Sequence, residues 1–178
     1  MLIGLLSDTH IALPDQLLPE QVKEALRGVD LILHAGDIWV PRVLDELETI
    51  APVLAAMGDD DMPEDFGDDD RLKKQLDLSV DGLTIWVQHI KPRYGLINPN
   101  ERSNSYSAIF HPQSQEPVDP PDVVVFGHSH FAEIEIFKGT LLVNPGSPTM
   151  PNYLPKLGTV GILAIEDGKA EARLVQLE

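Results

Sequence analysis

Cysteine is absent from the 178 residues. That excludes disulfides, zinc–thiolate sites and thiol nucleophiles together, so any metal must be bound through nitrogen and oxygen. The absence also fits a cytoplasmic protein. Cations are scarce: 13 Lys and Arg stand against 29 Asp and Glu, a formal net charge of −16. An extended phosphate polymer would be repelled by such a chain, so stable nucleic-acid binding is not expected. A small phosphoester entering a pocket whose local field is set by cations is still allowed. Long apolar runs are missing too. No segment approaches the ~20 residues that a spanning helix needs. Asp8 and His10 interrupt the opening apolar stretch almost at once, so neither a signal peptide nor a membrane anchor is expected. No internal repeat and no linker divides the chain, whose length suits one domain with a substantial core.

What is present reads as alternating strands and helices. Leu2 to Leu6, Asp30 to Leu33 and Pro52 to Met57 are short apolar runs of buried-strand character. Between them, Pro19 to Arg27 and Pro41 to Ile50 open with proline and carry apolar residues at helical spacing. This order implies right-handed crossovers and parallel strands. The second half changes character. Asp81-Gly82 and Asp167-Gly168 are hairpin signals, between 75–80 and 84–88 and between 160–165 and 170–177. Asp122 to Phe126 is another buried strand, and 132–137 and 141–144 pair around Lys138-Gly139. The fold class is α/β, with two stacked mixed sheets flanked by helices. The stretch 90–121, rich in Pro, Ser, Asn and Gln, has no sustained period and reads as a surface excursion, with a flap over the site as the other reading.

The chemistry-bearing residues share a position. Asp8-Thr9-His10, Gly36-Asp37, Gly58-Asp59, His89 and Gly127-His128-Ser129-His130 each follow a predicted strand directly. Strand ends of a layered α/β protein share one edge, where sites form. Asp and His are the ligands that a nitrogen and oxygen metal site uses. Asp8 and His10 sit two apart, as do His128 and His130, and in extended chain such pairs point the same way. This many donors exceeds what one ion takes, so two ions sharing a bridging carboxylate account for them better.

These pieces resemble the calcineurin-like metallophosphoesterase superfamily, in its small bacterial and archaeal phosphodiesterase branch, which also includes the metallophosphoesterase-like subunit of eukaryotic retromer. The matching segments are SDTH (7–10), HAGD (34–37), GDDD (58–61), QH (88–89), GHSH (127–130) and NPGS (144–147), spread over nearly the whole chain. The resemblance implies a single αββα sandwich domain over 1–178. It implies one metal held by Asp8, His10, Asp37 and His130 and a second by Asp37, Asp59, His89 and His128, with Asp37 bridging. The implied activity is hydrolysis of phosphate esters, more readily diesters, by a hydroxide bridging two divalent ions, with Asp37 and His89 foremost in catalysis. Mn²⁺ is the expected metal, and Fe, Zn, Ni or Co also suit such ligands. The expected partner is a small phosphoester substrate, and homo-oligomerisation is compatible with the sequence. The retromer subunit supplies the alternative, a non-catalytic metal-binding scaffold of the same fold.

The chain departs from that pattern in informative places. Asp59 stands where the family usually has asparagine. A carboxylate still ligates, but it lowers the net charge of a dimetal cluster, so metals are held more tightly and bound water is harder to ionise. Ile90 replaces the usual glycine. Asp60 stands where larger members carry a histidine that protonates the leaving group. An aspartate is normally ionised and poorly suited to that task. His34 reads as a packed or supporting histidine, His111 as solvent-facing, Asn144 as supporting the site, and Asp68 to Asp70 as a charged surface loop. Arg93 and Tyr94 follow His89 closely enough to meet a phosphate.

Overall fold

The computed structural model describes residues 1–13, 15–92 and 120–178. Arg93, Tyr94, His111 and most of the 90–121 stretch lie outside the described residues. In chain order the elements are β1 (Leu2–Leu6), α1 (Glu20–Ala25), β2 (Leu31–His34), α2 (Arg42–Glu48), β3 (Val53–Ala56), α3 (Pro63–Phe66), β4 (Leu72–Lys73), β5 (Leu76–Val80), β6 (Leu83–Val87), β7 (Val123–Val125), β8 (Glu133–Phe137), β9 (Thr140–Asn144), β10 (Thr159–Glu166) and β11 (Lys169–Gln176). One sheet runs β11-β10-β1-β2-β3-β4 and the other β5-β6-β7-β9-β8. Both are mixed: β1, β2, β3 and β4 pair in parallel, while β10 and β11 join them antiparallel. β6, β7 and β9 are parallel, with antiparallel β5 and β8 at the edges.

The period-2 alternation of the strands decides which core each residue joins. Ile3 and Leu5 of β1 meet Val123 and Val125 of β7, Ile85, Val87 and Leu163 between the sheets. Leu6 of β1 and Ile32 of β2 face the other way, against Val22 and Leu26 near α1 and Val43, Leu44 and Leu47 near α2. Gly4 sits where α1 crosses closest, since a Cβ there would come within 2.8 Å of the Leu26 side chain. Each fully buried Leu, Ile or Val contributes about 1.5–3 kcal/mol of apolar transfer. The helix faces are short because proline opens each helix and the stretch that follows soon turns. No helix among the described residues is long and apolar enough to cross a membrane.

The parallel strands β1, β2 and β3 and the strands β6 and β7 all end toward one edge. Backbone hydrogen bonds knit their exit loops there. Asp8 N–H donates to Gly36 C=O at 2.9 Å, His10 N–H to Asp37 C=O at 3.1 Å, and Gly127 N–H to His89 C=O at 2.8 Å.

Candidate metal centre

All seven predicted site residues converge on that edge, in two sets. Asp8, His10, Asp37 and His130 each place a donor atom within 4.8 Å of the others, and so do Asp59, His89 and His128. The sets touch through His89, whose Nε2 is 2.8 Å from Asp59 Oδ1 and 3.2 Å from Asp37 Oδ2. They differ in exposure. The side chains of the first set are 7% exposed or less, whereas Asp59 and His128 are 44% and 49% exposed.

The backbone is not extended at these residues, contrary to the expectation for pairs two apart. Asp8, His10, Asp37, His128 and His130 all have φ between 44° and 69°. Left-handed turns aim the pairs differently: Asp8 and His10 enter one set, while His128 and His130 divide between the two. Such a conformation costs a non-glycine residue about 1–2 kcal/mol, so the surrounding loops must hold it.

They do so through buried hydrogen bonds. Ser147 Oγ–H donates to Asp8 C=O at 2.7 Å and accepts Met150 N–H at 2.8 Å. Thr149 Oγ1–H donates to Thr9 C=O. Asn144 donates to Gly127 C=O and Ser129 Oγ, which makes the NPGS turn a support for the GHSH loop, as expected of Asn144. Asp8 accepts the N–H of His128 at 3.0 Å. His34 is fully buried beneath the site. Its Nδ1 accepts Gly36 N–H at 3.2 Å, so Nε2 carries the proton and faces Thr9 Oγ1 at 3.2 Å. His34 is therefore a supporting residue, as expected. Burial, with His89 nearby, pushes its pKa down to about 3. Asp68 and Asp70 are exposed, as expected of a charged surface loop, whereas Asp69 is only 13% exposed and is held by Arg71.

The ring orientations say which atoms are free for a cation. His89 Nδ1–H donates to Ala35 C=O and His130 Nδ1–H to Met150 C=O, each at 2.7 Å, leaving each Nε2 as a lone-pair donor. His130 Nε2 faces His10 Nε2 at 3.1 Å and Asp8 Oδ1 at 3.6 Å. His89 Nε2 is buried among carboxylates, 2.8 Å from Asp59 Oδ1 and 3.2 Å from Asp37 Oδ2. Imidazole nitrogens and carboxylate oxygens gathered this closely suit a divalent ion, which would replace the protons they otherwise share. Burial opposes charge on His89, but Asp37 and Asp59 outweigh it and hold the pKa up at about 10. Asp59, hydrogen-bonded to His89, is held below the usual carboxylate range. Burial pushes Asp8 up, partly offset by His89. A cavity of about 200 Å³ opens over the two sets, walled by Trp39, Asp60, Met150 and Tyr153. Tyr153 stacks on His130 at 4.2 Å between ring centroids, and Trp39 meets His10 edge-on. Neither aromatic carried a signal in the sequence, because each acts through a contact with a residue distant in the chain.

Two stacked mixed sheets with Asp and His gathered at their strand ends match the metallophosphoesterase class. The calcineurin-like phosphoesterase superfamily domain matches residues 1–168, and the chain belongs to that superfamily. A probable metallophosphoesterase of Methanothermobacter thermautotrophicus is 33% identical over 178 residues, covering 99% of this chain and 92% of the relative. A phosphodiesterase of Methanocaldococcus jannaschii is 26% identical over 192 residues, covering both chains in full. Among solved structures, Vps29 of Entamoeba histolytica complexed with zinc superposes with a TM-score of 0.64 at 20% identity, over 99% of each chain.

Proposed function

We propose that this chain hydrolyses phosphate esters, diesters more readily than monoesters, with two divalent cations bound at the strand-end site. The observation that carries the reading is the convergence of seven His and carboxylate donors in two adjacent sets, the first of them buried. Asp8, His10, Asp37 and His130 would hold one ion. Asp59, His89 and His128, with Asp37 shared, would hold the other. Bound there, the pair supplies Lewis acidity and an activated water, so no protein nucleophile is required. Mn²⁺ is the favoured occupant, with Fe, Zn, Ni or Co compatible with the same ligands.

The chain's own residues do the rest. Asp37 sits between both sets and fixes their spacing. Ala35 and Met150 carbonyls orient His89 and His130 so that their Nε2 atoms face inward. The mouth lies beside exposed Asp59, Asp60 and His128, and a cavity of about 200 Å³ is of a size for a small ester. Asp60 lines the cavity and stands in sequence where larger members of the superfamily carry the histidine that protonates the leaving group. Esters with acidic leaving groups are therefore expected to turn over well and alkyl esters poorly. A small phosphoester as substrate and a cytoplasmic location are part of this reading.

The test is hydrolysis of bis-p-nitrophenyl phosphate with added Mn²⁺, comparing wild type with His89→Ala and Asp37→Asn. Metal-dependent turnover in wild type and at least a hundredfold loss in each variant are expected. Turnover that ignores metal and chelator would overturn the metal-dependent reading, and none with any metal would favour a non-catalytic scaffold. Alkyl and aryl diesters cleaved at similar rates would remove the role given to Asp60.

A further inference from the structure

The triple aspartate 59–61 contains three different environments. Asp59 belongs to the exposed donor set and Asp60 faces the cavity, while Asp61 turns inward and is only 5% exposed. Among the described residues no cationic side chain pairs with Asp61. Its charge is met by backbone instead. Oδ1 accepts the N–H of Ile38 at 2.7 Å and of Trp39 at 2.8 Å. Oδ2 accepts the N–H of Asp37 at 3.0 Å and of Gly58 at 2.7 Å.

Three of these donors are consecutive, 37 to 39, in a loop where Gly36, Asp37 and Trp39 all have positive φ. Alternating backbone of this kind curls successive N–H groups into a concavity that fits an anion. In this chain the anion is a carboxylate of the neighbouring loop. The fourth donor belongs to that neighbouring loop itself, so one side chain clamps both. The clamp is tight: a Cβ at Gly58 would overlap the Asp37 backbone nitrogen and Oδ1. Asp60 N–H then donates to Asp37 Oδ1 at 3.1 Å, completing the seam.

We propose that Asp61 is the positioning residue that sets the spacing between the two metal-binding sets, by fixing the Asp37 loop against the Asp59 loop. It touches no substrate and offers no free oxygen to a cation. This inference rests on the dimetal reading above. Asparagine at 61 would be nearly isosteric, yet whichever way the amide turns, its NH₂ meets two backbone N–H donors. Two hydrogen bonds would become two donor–donor contacts, and the seam between the loops would open.

The experiment is Mn²⁺ titration of the full chain by calorimetry, joined to electron paramagnetic resonance of the loaded protein. Wild type is expected to bind two ions and to show the exchange-coupled spectrum of a manganese pair. Asp61→Asn is expected to bind its second ion at least tenfold more weakly, with the coupled signal replaced by that of isolated ions and the circular dichroism unchanged. A merely structural role would change the unfolding midpoint and leave the coupling alone. Asp61→Asn with two ions at wild-type affinity and an unchanged coupled spectrum would overturn the inference while leaving the dimetal reading standing. Wild type that binds fewer than two ions would overturn both. Asp61→Glu keeps every acceptor but adds a methylene, and serves if the asparagine variant does not fold. It is expected to bind both ions with weakened coupling, and coupling identical to wild type would count against the inference.

Discussion

Asp59 carries its charge at the solvent-facing side of the site, where it is 44% exposed and 2.8 Å from His89. Removing that charge should make water at a loaded centre easier to deprotonate. Asp59→Asn at saturating Mn²⁺ should therefore shift the acidic limb of the pH–rate profile to lower pH and weaken the binding of one ion. A limb that stays put would mean Asp59 does not act on the cluster. His34 makes a different prediction, about folding rather than turnover. Its pKa is about 3 in the fold against an ordinary 6.5. Below pH 6.5 the unfolded chain takes up a proton that the folded chain refuses. The stability present at neutral pH is therefore lost as pH falls from 6.5 toward 3. Between pH 7 and pH 5 this amounts to about 2 kcal/mol, by ~1.4 kcal/mol per unit once the difference is fully developed. Urea unfolding of metal-stripped protein at the two pH values should show wild type losing about 2 kcal/mol more than His34→Asn, whose Oδ1 can still accept Gly36 N–H; His89, held up at about 10, titrates with the opposite sign in both proteins and cancels in the comparison. Equal drops would show that the ring is protonated in the fold.

Between elements, Arg71 is the main polar tie outside the site. It reaches Asp45 and Glu48 of α2 at 2.7 and 2.8 Å and binds Asp69 through Nε and a terminal nitrogen. Asp45 and Glu48 are more than half exposed, so their share is small, and the sheltered Asp69 dominates. Arg71→Ala should cost about 1–2 kcal/mol in urea unfolding, and Arg71→Lys should recover little, because an ammonium cannot reproduce the fork. A cost below a few tenths would show that the tie is ornamental. The elements themselves were unequally legible. Strands such as 2–6 and 122–126 announced themselves by apolar runs ending at Asp or Gly-His; the first has the expected bounds and the second is one residue shorter at each end. β4 was not foreseen, because Leu72–Lys73 is too short to show a period and forms by pairing with β3. α3 was hidden in an acidic stretch, where Pro63 at its first turn was the only cue. The site residues were legible because donor types fell at strand ends. Asp61, Trp39 and Tyr153 were not, since their roles exist only where loops remote in sequence meet. Three adjacent acids in one loop were the available hint for Asp61.

At the scale of the molecule, a net charge of −16 surrounds a site proposed to take anions. Repulsion should slow the approach of an anionic diester, and screening should relieve it. Raising ionic strength from about 0.02 to about 0.2 M should increase kcat/KM for such a substrate by about two- to fivefold, with little change for a neutral ester. A fall would point to a local attractive patch. The two donor sets also make the centre lopsided: the side chains of one are almost wholly buried while Asp59 and His128 of the other are nearly half exposed, so a chelator should strip one ion of a loaded pair before its neighbour. The left-handed backbone at Asp8, His10, Asp37, His128 and His130 has a bearing on how the protein is best dissected. Truncating any of these to alanine removes a donor and also puts a residue ill-suited to that bend in its place. Asparagine tolerates the bend far better than most side chains. A panel built on asparagine would separate lost coordination from a relaxed hairpin of chain, two injuries that an alanine panel would record as one.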